Sequence, residues 1–99
     1  ALGIWKVKPG REEDFRQAWT EFAQATAQDQ PGMGFAYLLQ DSADPQRFIS
    51  FGPWKDAEAV ASWRASDRFQ AFFAEVRELC EDVQPNLLHQ RAYVPAPAG

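Results

Sequence analysis

Between Arg47 and Phe73 the chain reads RFISFGPWKDAEAVASWRASDRFQAFF, a run that passes from one structural period to another. A short apolar strand stops at Pro53-Trp54, and two successive helices follow, with Asp56 placed to cap the first and Ser66 the second. On the second, Phe69, Phe72, Phe73, Val76, Leu79 and Cys80 recur at i, i+3, i+4, i+7, i+10 and i+11. Such a stripe is core by default and needs another layer to cover it. A strand feeding two helices, one of them strongly one-sided, already directs the chain toward a mixed layered fold.

The remaining segments complete the pattern. LGIWKVK, Leu2 to Lys8, reads as a strand that Pro9-Gly10 ends. Gly10 is then placed as an N-cap, with Glu12, Glu13 and Asp14 in a first turn where the helix dipole favours negative charge. Phe15, Ala18, Trp19, Phe22 and Ala25 follow at steps of three and four, predicting a helix to about Gln28. Pro31-Gly32 precedes a second strand, about Gly34 to Gln40, and the turn cluster Asp41 to Pro45 separates it from a third, about Arg47 to Gly52. After the helix pair, Glu81 to Pro85 reads as a polar connection, Asn86 to Val94 as a last strand, and Pro95 to Gly99 as a loose tail. The order βαββαβ, with a paired second helix, is ferredoxin-like: one α+β domain over residues 1–99, an antiparallel sheet with helices on one face.

A sheet with one face in water alternates apolar and polar residues. Here Ile4 stands against Trp5 and Val7, Phe48 against Ile49 and Phe51, and Leu87 against Leu88 and Val94, so both faces are apolar and a second copy is the simplest cover. Four Trp, eight Phe and two Tyr in 99 residues exceed what so small a core buries, which calls for a cavity or an interface. A formal charge of −4 argues against a nucleic-acid partner. No apolar run approaches the ~20 residues of a membrane span, and no leader pattern stands at the start, so a cytoplasmic location is expected. Cys80, the one cysteine, reads as a small buried hydrophobe.

Together PGREEDF, PGMGFAYLLQDSADPQRF and the stretch from Arg47 to Phe73 resemble the antibiotic biosynthesis monooxygenase family, over roughly Leu2 to Val94. The resemblance implies a homodimer whose two sheets pack face to face as a dimeric α+β barrel. It also implies a cofactor-free oxidation of a phenolic, anthrone- or quinol-like small molecule by dioxygen, with the protein supplying a dry pocket, deprotonation and orientation. In the family's haem-degrading branch an Asn on the first strand, a Trp and a ligating His are used. By resemblance only the Trp is present, as Trp63, while Phe72 and Gly3 fall near the other two places.

His89, on the predicted last strand, has two readings: a general base for a phenolic proton, or a half-buried histidine at an interface or edge. Trp63, nine residues after Trp54, is by resemblance a pocket wall whose N–H can hold a substrate oxygen, or else core packing beside Val60. Trp54 reads as structural. Trp5, Trp19, Phe35, Tyr37 and Phe72 are candidates to share the pocket, and Trp5 is also placed to fill it. Arg64 and Arg91 are candidates to balance a phenolate or superoxide charge. No metal-ligand spacing, hydrolase triad or phosphate loop occurs in the sequence. A noncatalytic small-molecule-binding dimer and a polyketide isomerase or cyclase are the alternatives on the same fold.

Overall fold

The computed structural model describes residues 1–97. Its elements are β1 (Leu2–Val7), α1 (Glu12–Asp29), β2 (Tyr37–Gln40), β3 (Arg47–Phe51), α2 (Ala57–Arg64), α3 (Asp67–Leu79) and β4 (Cys80–Asn86). The strands form one antiparallel sheet in the order β2-β3-β1-β4. With the helices on one face, this is the ferredoxin-like α+β arrangement read from the periodicities.

Local chemistry explains the boundaries. Asp56 accepts a hydrogen bond from the Ala59 N–H at 2.8 Å, and the Ser66 hydroxyl accepts one from the Phe69 N–H at 3.2 Å, so both expected caps are in place. Gly10 does not cap α1. Its φ of +83° makes it the left-handed residue of the Pro9-Gly10 turn, and the cap position falls on Arg11, whose side chain makes no capping bond to the helix N–H groups. Glu12, Glu13 and Asp14 still occupy the first turn of α1.

The last strand is where the sequence expectation fails. It begins at Cys80, directly off α3, and ends at Asn86, while Leu87–Pro97 have no regular structure. The polar stretch read as a connection is therefore the strand, and the apolar run from Leu87 to Val94 is not. β4 pairs only with β1, and an edge strand tolerates Glu81, Asp82, Gln84 and Pro85 because their polar groups and the missing proline N–H face solvent. Of the expected loose tail, residues 95–97 lack regular structure and residues 98–99 lie outside the described part of the chain.

Residues Gly3, Trp5 and Val7 of β1 are buried against the helices, and Phe15, Ala18, Phe48, Phe72, Val76, Leu79 and Cys80 join them in the core. Burial pushes the Cys80 thiol up to about 11. The opposite sheet face is apolar too. Paired positions share a face, so Leu2 and Phe51, Ile4 and Ile49, and Tyr37 and Leu39 line it together, with Tyr37, Leu39 and Phe51 exposed.

Candidate active site

At the end of the sheet–helix seam away from Val7, the helices and sheet do not close on each other. A partly open cavity of about 80 Å³ lies there, lined almost wholly by apolar side chains, including all four tryptophans of the chain. Its floor is the row of β1, β3 and β4 where Gly3 pairs with Ser50 on one side and Pro85 on the other. Small residues in that row leave the space that bulkier ones fill elsewhere.

Its walls come from three elements. On α1, Trp19, Phe22, Ala23 and Thr26 stand at i, i+3, i+4 and i+7, the spacing that puts them on one face. From α3 come Phe69, Phe72 and Phe73, with Phe72 stacked on Phe22 at 3.9 Å and an interplanar angle of 8°. Trp63 of α2 touches Trp54 at 4.8 Å and Phe69 at 4.7 Å between ring centroids, which locks its ring between two others.

Two indoles carry the polar points. The Trp5 N–H donates to the Ser50 hydroxyl at 3.0 Å, and its ring folds back over Gly3, where an added Cβ would lie 3.0 Å from the indole nitrogen. Trp5 is 6% exposed, so it closes one side of the cavity without filling it. The Trp63 N–H donates to the Thr26 hydroxyl at 3.3 Å, and Thr26 is the one buried polar residue among those described.

Of the residues expected from the sequence, Trp5, Trp19, Phe35, Trp63, Arg64 and Phe72 line the cavity together. Tyr37 does not. It is 54% exposed on β2 and packs against Phe35 and Phe51 on the open face. His89 does not either: with the strand ending at Asn86, it stands exposed beside Arg91 in the segment without regular structure, not on a strand. Phe72, at the place the resemblance gives a haem-ligating histidine, presents a ring with no donor atom. Phe22, Thr26, Ser50 and Trp54 were missed as site residues. The α1 spacing carried a signal for Phe22 and Thr26, whereas Ser50 and Trp54 depend on strand register and on the path of the chain after Pro53. Among the described residues no cluster of His, Cys, Asp or Glu is placed to hold a metal ion, and no helix is long and apolar enough to cross a membrane.

A ferredoxin-like sheet with an aromatic cavity in its helix seam defines a class of small α+β domains. The sequence pattern of the antibiotic biosynthesis monooxygenase family matches residues 2–75, and the chain belongs to that family. Membership carries a monooxygenase-like function in general terms. Among solved structures, the chain is similar to SnoaB, a cofactor-independent oxygenase from Streptomyces nogalater, at 21% identity and a TM-score of 0.85 over 96% of this chain and 94% of that one. It is also similar to a putative antibiotic biosynthesis monooxygenase from Nitrosomonas europaea, at 19% identity and a TM-score of 0.76 over 84% and 80% of the two chains. A third, from Bacteroides thetaiotaomicron, shares 15% identity with a TM-score of 0.75 over 95% and 92%. At these identities the likeness is one of fold. No curated protein matches the chain.

Proposed function

We propose that the protein is a cofactor-independent monooxygenase acting on a phenolic, anthrone- or quinol-like aromatic molecule held in the cavity, and that it works as a homodimer joined through the open sheet face. The observation that carries the reading is the cavity itself, walled by four tryptophans and three α3 phenylalanines at one end of the seam. Such a wall suits a flat, electron-rich ring, excludes water and leaves few polar points to fix orientation. For an anthrone-type substrate the balance is simple: a ring CH2 and dioxygen become a ring C=O and water, the substrate anion supplying the first electron to oxygen. Trp63 serves as wall and hydrogen-bond donor. The apolar row of Leu2, Ile4, Ile49, Tyr37, Leu39 and Phe51 supports the dimer, since a second copy buries it.

Among the described residues, the cavity lining of one chain holds no His, Tyr, Asp, Glu or Lys side chain to take a proton. That observation favours, as a second reading, a dimer that binds such molecules without oxidising them. It weighs against an isomerase or cyclase, which needs a base throughout.

Oxygen uptake by chelator-treated protein against anthrones and quinols tests the first reading. Uptake that survives chelation and falls in Trp63→Phe is the expected outcome; substrate binding with no uptake above the spontaneous rate overturns it in favour of the second. Sedimentation of the same protein tests the assembly, with Ile49→Lys expected to yield a monomer.

A further inference from the structure

The chain carries 14 Asp and Glu for a formal charge of −4, yet among the described residues no acidic side chain lines the cavity. Arg64 is the one ionisable side chain among the described residues that do. It closes α2, next to Trp63, and is half-buried. One Nη atom donates to the main-chain oxygen of Asn86 at 3.3 Å, a single long bond at the end of β4 where Asn86 pairs with Leu2. Arg11, Arg16, Arg47 and Arg68 each pair with a carboxylate; Arg64, Arg77 and Arg91 form no ion pair among the described residues, and of these three Arg64 alone lines the cavity, the other two being exposed. A guanidinium has five N–H donors in a fixed fork that matches the two oxygens of a carboxylate. A cation set against an apolar wall without a counter-ion is stabilised when a ligand brings one.

Two further observations restrict that ligand. The one lining group able to take a proton among the described residues is the Ala1 amino group, which burial and then the Arg64 charge hold below its ordinary value of 8.0, so a phenol with its ordinary pKa of about 10 keeps its proton and offers Arg64 no charge. The charge must arrive already formed. The cavity of about 80 Å³ is also well under the several hundred Å³ common for drug-sized ligands, which within the range proposed above favours phenolic or quinol-like molecules of one ring or a fused pair over a three-ring anthrone.

Granting the cavity the ligand-binding role proposed above, we propose that it selects small aromatic acids, with a ring carboxylate held by Arg64 and the ring seated against Trp63. Charge selection of this kind makes Arg64 a specificity-determining residue.

Calorimetric titration of the full chain at neutral pH with 3-hydroxy-2-naphthoate and with 2-naphthol tests this. The acid is expected to bind about tenfold tighter than the naphthol, the scale of one charge-assisted hydrogen-bonded pair. In Arg64→Gln the ratio of the two affinities falls to near one, the acid losing more than the naphthol, and Arg64→Lys keeps part of the preference. Arg77→Gln, which removes an equal charge from the exposed side of α3, keeps all of it. No preference in the unmodified protein, a preference that survives Arg64→Gln, an equal loss of both probes in that variant, or a loss in Arg77→Gln each overturns the proposal. If the naphthol binds throughout, the cavity reading stands without it; if neither probe binds, both fall.

Discussion

The two ends of the sheet–helix seam are built from similar helices and different strands. At the closed end Val7 pairs with Cys80 and Trp5 with Phe48, and Val7, Phe15 and Val76 are each 0% exposed. At the open end the same sheet face presents Gly3, Ser50 and Pro85, and the aromatic side chains of α1 and α3 meet a cavity in place of a floor. The helices bring large apolar side chains to both ends. What differs is the volume of one row of strand residues, so the cavity is a property of the sheet, and the aromatic rings around it are core residues left without a partner. Close packing makes such a vacancy costly unless something enters it.

The largest expected effect comes from breaking the closed end. Phe15 touches both Trp5 at 5.4 Å and Phe48 at 5.0 Å between centroids, and it is fully buried. Phe15→Ala is expected to lower the unfolding free energy by about 3–5 kcal/mol in urea denaturation, since the surrounding rings cannot collapse into the gap. Phe73, half-buried at the cavity wall, already has free volume beside it. Phe73→Ala is expected to cost roughly 1–2 kcal/mol by the same measurement, less than full burial of the ring contributes. Equal losses at the two sites would remove the distinction between the ends.

Filling the open end is the next test. A Cβ on Gly3 would lie 3.0 Å from both the Ser50 hydroxyl oxygen and the Trp5 indole nitrogen. Gly3→Val therefore forces the indole off the strand, breaks its bond to Ser50 and occupies the floor of the cavity. Destabilisation of about 1–3 kcal/mol is expected from overpacking. Binding of 2-naphthol should disappear in the same variant, and naphthol binding of unchanged affinity would show that the ligand sits elsewhere.

How far the sequence reveals these two ends depends on what sets each residue's place. The caps Asp56 and Ser66 act within three residues, so they are legible, as are the helical stripes that bring Trp19, Phe72 and Trp63 to the seam. Trp5 lies over Gly3 because both alternate onto one strand face, which period two predicts. Its partner Ser50 comes from pairing across 45 positions, and nothing local specifies that register. β4 was misplaced because an edge strand needs little apolar content, whereas the run from Leu87 to Val94 has more than an exposed segment requires. His89 followed that run and lost its place at the site with it. Thr26 sat in plain spacing on α1 but carried a polar name, and only the Trp63 N–H opposite explains a hydroxyl there.

The smallest effect sharpens the comparison from the dry side. Cys80 faces the closed end, and burial raises its thiol to about 11 from an ordinary value near 9. Between those two values the folded chain holds a proton that the unfolded chain has released. Stability contributed by the neutral thiol is thus complete below pH ~9 and is lost as pH rises toward ~11. Denaturation midpoints measured across that interval should fall more steeply for the unmodified protein than for Cys80→Ala, which has no proton to lose. Ellman-type labelling of the native protein should likewise stay slow at pH ~9, where about half of a solvated thiol is reactive thiolate. Fast labelling there would mean that water reaches the closed end too, and that the two ends of the seam differ in shape without differing in access.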